Sequence, residues 1–232
     1  MPRRSRKLTN SPLVCFRPDA WLSQQIGKPA YRWQGITLND LPPGPCFCYA
    51  KVPETNHQEK KVLEDAGFTL VETSVIYQKQ VSQVEASDPR LREARAGDCE
   101  RVKQIAGCSF RLSRFHVDPK FSPGAGNRIK EAWAGNFFRG ARGDRMLVAE
   151  ESGDLAGFIL ILKKPRGVVV DLVAVDPAFQ GRGLGPALLL AAETKGCRIT
   201  AGTQKANTSS CRMYEKCGYK PSKSELVYHL HR

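Results

Sequence analysis

Six consecutive residues, Gln180-Gly181-Arg182-Gly183-Leu184-Gly185, carry the clearest binding pattern in this sequence. They follow an apolar run, Val168 to Val175, that reads as a strand buried on both faces. They precede an apolar helix expected from Pro186 to about Lys195. Glycines let several backbone N–H groups converge on one anion without interference from Cβ atoms. A helix start adds unpaired N–H donors and a favourable dipole. Pro186 suits a first turn, where its missing N–H costs nothing. Strand, glycine loop and helix in that order make a phosphate cradle; the bland alternative is a plain strand-to-helix turn. A Walker loop would end Gly-Lys-Ser/Thr, whereas this one ends Gly-Leu-Gly-Pro. A dinucleotide fingerprint would place its third glycine one residue beyond Gly185. What remains is Q/R-x-x-G-x-G.

The elements that must hold this loop follow from the pattern on either side. The 232 residues suit one large or two small domains. Hydrophobic residues make up 41%, which excludes a mostly disordered chain. No apolar stretch approaches the ~18 residues of a spanning helix, and the start lacks a signal-peptide apolar core. The chain reads as cytoplasmic, without a membrane span. Residues 1–11 form a basic tail and residues 12–82 a smaller amino-terminal α/β domain. That domain holds a strand at Cys46 to Val52, a helix at Asn56 to Ala66 stopped by Gly67, and a strand at Phe68 to Gln80. Residues 83–90 are the linker. The second domain, 91–232, opens with a short strand at Leu91. A helix capped by Asp98 runs to Cys108, and a second carries Ile129 and Trp133 through Phe138. A hairpin turning at Glu151-Ser-Gly-Asp154 and the long strand Val168 to Val175 follow.

The formal net charge of +13, from 36 Lys+Arg against 23 Asp+Glu, favours anionic partners. The basic residues are dispersed and no nucleic-acid motif accompanies them, so nucleic acid is not the expected partner. The eight cysteines show no C-x-x-C spacing and the four histidines no ligand grouping. The cysteines read as reduced, small apolar side chains, and no metal is expected.

The loop, the preceding Leu172-Val-Ala-Val-Asp-Pro177 and the downstream Asn207-Thr-Ser-Ser-Cys-Arg-Met-Tyr214-Glu-Lys-Cys-Gly218-Tyr219 together resemble the GNAT superfamily of N-acetyltransferases. Further likeness runs to the sugar-nucleotide acetyltransferases of that family. It rests on Gly202 to Asn207, Met213-Tyr214, Leu226 to Leu230, Ser113-Arg114-Phe115 with the Trp133 helix, and Leu63 to Glu72. One departure is visible: those enzymes have a basic residue just before the tyrosine, where this chain has Met213, with Arg212 one position earlier.

The resemblance implies an α/β (α+β) GNAT fold, a mixed central sheet flanked by helices. It implies acetyl-CoA as co-substrate, with its diphosphate on Gln180, Gly181, Arg182, Gly183, Leu184 and Gly185. It also implies a strand that splays near Val173 to Val175, with a backbone N–H near Val173 for the oxyanion. The implied acceptor is the primary amine of a nucleotide-linked amino sugar. Tyr214 is the implied proton donor to the leaving thiolate, since a phenol of pKa ~10 matches a thiolate of similar basicity; the alternative is a core tyrosine beside Cys211 and Cys217. Asn207 caps the helix carrying Tyr214, contacts coenzyme A, or does both. Asp171 shares strand parity with Val173 and Val175 and is a candidate base, as is His116; both have structural alternatives. Arg111 and Arg114 are candidates for the acceptor's phosphates, against a solvated basic loop. Two other functions stay open: acetylation of a protein or antibiotic amine, and a non-catalytic GNAT-like binding module. A homodimer is admitted, and nothing in the sequence sets subunit number.

Overall fold

The computed structural model describes residues 15–35, 41–84, 86–165 and 167–232. The basic tail over residues 1–11 lies outside them. The chain enters through β1 (Phe16–Pro18), α1 (Ala20–Ile26), β2 (Ala30–Trp33), β3 (Phe47–Pro53), α2 (His57–Asp65) and β4 (Thr69–Gln80). It continues through β5 (Leu91–Glu93), α3 (Cys99–Ser109), α4 (Arg114–Val117), α5 (Ala125–Phe138), β6 (Arg145–Glu151), β7 (Asp154–Lys164) and β8 (Gly167–Val175). It ends with α6 (Leu184–Ala191), β9 (Arg198–Gln204), α7 (Thr208–Lys216) and β10 (Lys220–His231).

Local signals explain most boundaries. Asn56 accepts the Glu59 amide and starts α2, while Gly67 adopts φ +84 just past its end. Ser152 and Gly153 both have positive φ, which turns the β6–β7 hairpin. Asp98 holds the N-cap position of α3, as expected, but its side chain makes no capping bond to that helix. Its carboxylate accepts the Arg95 amide and pairs with Arg92 at 2.7 Å.

The described strands form a single mixed sheet in the order β1-β2-β3-β10-β4-β9-β8-β7-β6-β5. β2/β3 and β8/β9 are the parallel neighbours. The carboxyl-terminal β10 enters between β3 and β4, pairing with both, and β4 pairs with β9. The segment before residue 82 therefore adds strands to a shared sheet and has no sheet of its own. The expected linker crosses no break in the strand order.

Alternation along these strands builds two faces. On one, Val75, Tyr77, Ala201 and Ile199 pack under α6 and α7, and Val52, Leu226 and Tyr228 pack with Leu63 of α2. On the other, Val148, Phe158 and Leu172 pack under α3 and α5, and Phe47 and Tyr49 pack with Leu22, Phe115 and Ile129.

One irregularity matters for the site. The β7–β8 ladder pairs Leu160 with Leu172 and Ile161 with Val170, leaving Asp171 as the extra residue of a bulge. The bulge resets the alternation. Val168 and Val170 before it, and Val173 and Val175 after it, lie on the α6 face, while Leu172 and Ala174 lie on the α3/α5 face. The Asp171 carboxylate turns to the α5 side. It accepts the Trp133 indole N–H at 2.8 Å and two Arg142 N–H groups at 2.6 Å each. Parity with Val173, the basis of its expected place in the site, is broken by the bulge.

A second tie joins the loop after α4 to β10. Asp118 Oδ2 accepts His229 Nδ1 and His231 Nε2, both at 2.7 Å, and Oδ1 accepts the Lys120 amide. Burial pushes His229 down to about 4, outweighing the raising pull of Asp118. Burial also works against the Asp118 carboxylate, yet the hydrogen bonds from both histidines and Lys120 hold its carboxyl well below the usual range.

Two expectations follow. Arg142→Ala leaves the Asp171 carboxylate, 7% exposed, without its cation. Because Arg142 itself is 39% exposed, the loss in denaturant unfolding should be about 2 kcal/mol, below the ~3–5 of a fully buried pair. An unchanged midpoint contradicts the role given to the pair. The second concerns pH. Below ~6.5 the unfolded His229 takes a proton that the folded one refuses, so stability falls as pH drops toward about 4. Tm by circular dichroism should decline over that interval, and less steeply in His229→Gln; equal slopes remove His229 as the cause.

Candidate active site

The glycine loop is built by anchors at both ends. Asp176 accepts the Ala178 amide at 2.9 Å and pairs with Arg101 of α3 at 2.7 Å. Gly181 and Gly183 take φ +80 and +79, a region where a Cβ is strained. Gly183 is the N-cap of α6, which begins at Leu184, two residues before the expected start. Pro186 still falls in the first turn. Arg90 donates to the Arg182 carbonyl at 3.2 Å and to Glu151 at 3.0 Å, steadying the loop from outside. Among the described residues, no backbone amide from Gln180 to Gly185 makes a hydrogen bond of good geometry. The glycine loop and the N-terminus of α6 thus lie together at one exposed turn. Met213, at the departure noted above, stands behind it: a Cβ on Gly185 would lie 2.8 Å from the Met213 sulfur.

Beside this loop the sheet opens. β8 and β9 pair only through Val168–Ile199, Val169–Thr200 and Val170–Ala201, and part where the Asp171 bulge begins. The Val175 carbonyl accepts Ser109 Oγ at 3.2 Å and Gln180 Nε2 at 3.1 Å, so it is turned to the open side. Alternation in the antiparallel ladder turns the Val173 peptide groups the same way. Tyr214 lies on the α6 face, 2% exposed, its ring 5.3 Å from Tyr77 and 5.8 Å from Tyr219. Burial pushes its phenol up, which holds it protonated. Asn207 caps α7 by accepting the Ser210 amide at 3.2 Å.

The remaining predicted residues divide. Arg111 is exposed on the turn before α4. Arg114 is packed over the rings of Tyr49 at 4.0 Å and Phe115 at 4.4 Å, where burial lowers its pKa. His116 has both ring nitrogens engaged, Nδ1 with Ser113 Oγ at 2.6 Å and Nε2 with Asn127 Oδ1 at 2.9 Å. Its ring lies against Gly126 of α5. Asp171 is bound on both oxygens by Arg142. Neither of the two expected bases therefore has a free atom to accept a proton. The histidines are also less scattered than they read: His229 and His231 lie within 4.8 Å of Asp118, a metal-type grouping in which each member here bonds the carboxylate.

Sequence reasoning missed a charged cleft on the α3/α5 face. Its floor crosses four adjacent strands. Lys51 of β3 and Glu72 of β4 both stand opposite Val227 of β10, and Gln204 of β9 stands opposite Ser74. Arg114 of α4 and Lys130 of α5 come over it. Lys51 is exposed to solvent, yet the surrounding protein lowers its pKa. Lys130 is 8% exposed, its ammonium 4.4 Å from the Phe110 ring and 4.8 Å from Trp133, and burial brings it to about 8. Only the strand alternation of Phe68 to Gln80 could have pointed to this face, and it does not single out Glu72.

Residues 109–219 match the family model for the GNAT acetyltransferases. The chain is 34% identical over 139 residues to the spore coat polysaccharide biosynthesis protein SpsD of Bacillus subtilis, covering 58% of this chain and 48% of SpsD. It thus spans about half the length of that relative. It is 29% identical over 178 residues to the dTDP-fucosamine acetyltransferase of Escherichia coli, covering 73% of this chain and 75% of that enzyme. A GCN5-related N-acetyltransferase from Sphaerobacter thermophilus shares the fold, with TM-score 0.57 at 14% identity over 81% of this chain and 60% of that one. No helix among the described residues is long and apolar enough to cross a membrane. The open sheet, the glycine loop at the start of α6 and these matches agree: residues 109–219 of this chain match the GNAT acetyltransferase family.

Proposed function

We propose that the protein transfers acetyl from acetyl-CoA to the primary amine of a nucleotide-linked amino sugar. The observation carrying this reading is the run of unengaged amides from Gln180 to Gly185 beside the gap between β8 and β9. Those amides suit the diphosphate of coenzyme A, and the gap suits its extended arm. Val175 and Asn207 border that path. The Val173 amide would polarise the acetyl carbonyl and hold the oxyanion. Tyr214, kept protonated by burial, would give its proton to the departing sulfur. Holding both reactants at one opening removes much of the entropic barrier.

The acceptor side supports an anionic ligand bearing an amine. Lys51, Arg114 and Lys130 face the cleft with Glu72 among them, three cations to one acid. A diphosphate-linked amino sugar has the opposite pattern of charge. Arg114 and Lys51 would take the phosphates, and exposed Arg111 would draw them in. The similarity to dTDP-fucosamine acetyltransferase points the same way.

Calorimetry with acetyl-CoA tests the loop. Gly183→Val forces a branched side chain into φ +79, with no atom within 4 Å of its Cβ to upset the fold. Its Kd should rise at least tenfold (about 1.4 kcal/mol); an unchanged Kd would place the diphosphate elsewhere. Coenzyme A release on nucleotide-linked amino sugars, lysine peptides and aminoglycosides tests the acceptor. Tyr214→Phe should lower kcat on the accepted amine by roughly 100-fold, with acetyl-CoA affinity held within about threefold. Wild-type kcat in that variant removes the acid assignment.

A further inference from the structure

With Asp171 and His116 both engaged, the attacking amine lacks a proton acceptor. The structure contains one that the sequence did not reveal. Glu72 Oε2 is buried without a hydrogen-bond partner. An orphaned carboxylate oxygen costs stability unless a ligand supplies its donor. Glu72 is also the one acid whose field acts on all three cleft cations, Lys51, Arg114 and Lys130. None of the three comes within ion-pair distance of it among the described residues. Four charged groups are therefore gathered on this face, with Lys51 and Glu72 on either side of Val227. Position adds a further argument. β4 is the immediate neighbour of β9, whose far edge is the one released by β8, so Glu72 lies one strand, about 4.8 Å, from the strand bordering the opening.

We infer that Glu72 receives the amino group of the acceptor and takes its proton, directly or through one water, as attack begins. This rests on the acetyl-transfer reading above and adds the missing group to it. The amine's electron pair forms the N–C bond, and the C–S bond breaks with its pair on sulfur. Glu72 takes the proton from nitrogen, Tyr214 supplies one to sulfur, and water returns the first to the second. The environment suits the task. Burial raises the pKa of the Glu72 carboxyl, and Lys51, Arg114, Gln204 and Lys130 limit that rise. β10 places only apolar Val227 beside it. Gln204 of β9 stands opposite Ser74, on the same face as Glu72.

Steady-state kinetics of the full chain test this, with acetyl-CoA binding and Tm measured in parallel. In Glu72→Gln, which keeps shape and removes the base, kcat on the accepted amine should fall roughly 100-fold or more. Acetyl-CoA affinity should stay within threefold. The acidic limb of kcat/KM in the wild type should disappear in that variant and persist in Glu72→Asp at reduced rate. An active wild type matched by an equally active Glu72→Gln overturns this inference alone, as does an unchanged acidic limb in a slowed variant. A wild type that binds acetyl-CoA yet acetylates no amine of any class overturns both this inference and the function it rests on.

Discussion

Everything in the candidate site depends on the β7–β8 ladder taking up an extra residue at Asp171. Before the bulge β8 pairs with β9; after it the two strands separate. A bulge is held only if its extra residue has something better to do than pair. Here the Asp171 carboxylate is gripped by Arg142 and Trp133 on the α5 side, at 2.6 and 2.8 Å. The ion pair fixes the extra residue, the extra residue ends the β8–β9 pairing, and the lost pairing leaves the Val173 and Val175 peptide groups unladdered. Asp171 is thus a positioning residue for the opening.

An opening through a sheet connects two environments. On the α6 side are the glycine loop and the buried Tyr214–Tyr77–Tyr219 cluster, where burial keeps the Tyr214 phenol protonated. On the α3/α5 side is a cleft with a strong positive bias, from Lys51, Arg114 and Lys130. In the proposed reaction each half would take one of the two reactants. The insertion of β10 makes the second half possible. It brings β3 and β4 to either side of Val227 and so sets Lys51 and Glu72 in one row. The Asp118 tie to His229 and His231 anchors the same strand against the loop following α4, the helix that carries Arg114.

The geometry of the candidate loop was legible in the sequence wherever it depends on backbone. Gly181, Gly183 and the start of α6 are read from residue types, because φ near +80 and free amides leave a direct trace in glycine spacing. Asn207 as a cap is read in the same way. What depends on register was not legible. Asp171 sits in a run whose alternation predicts it beside Val173, and a bulge leaves no signature in Val168-Val-Val-Asp-Leu-Val173. His116 looked available because nothing in the sequence shows that Ser113 and Asn127 close on its two nitrogens. Glu72 lies more than 150 residues from the end of the chain, yet Val227, opposite it, is in the last strand.

That long-range pairing also explains why the domain boundary drawn from composition does not divide the sheet. Pro42-Pro43-Gly44-Pro45 and the polar stretch before Leu91 are genuine punctuation, but punctuation marks where the chain turns and not which strands meet. β10 fills the slot between β3 and β4, so its twelve residues bind the first half of the chain to the second. A cleft assembled from β3, β4, β9 and β10 is therefore complete only when the whole sheet is. Loop chemistry can survive in a partly ordered protein, whereas charge placement across four strands cannot. By this argument the proposed recognition of coenzyme A is a local property of the molecule and the proposed choice of acceptor a global one.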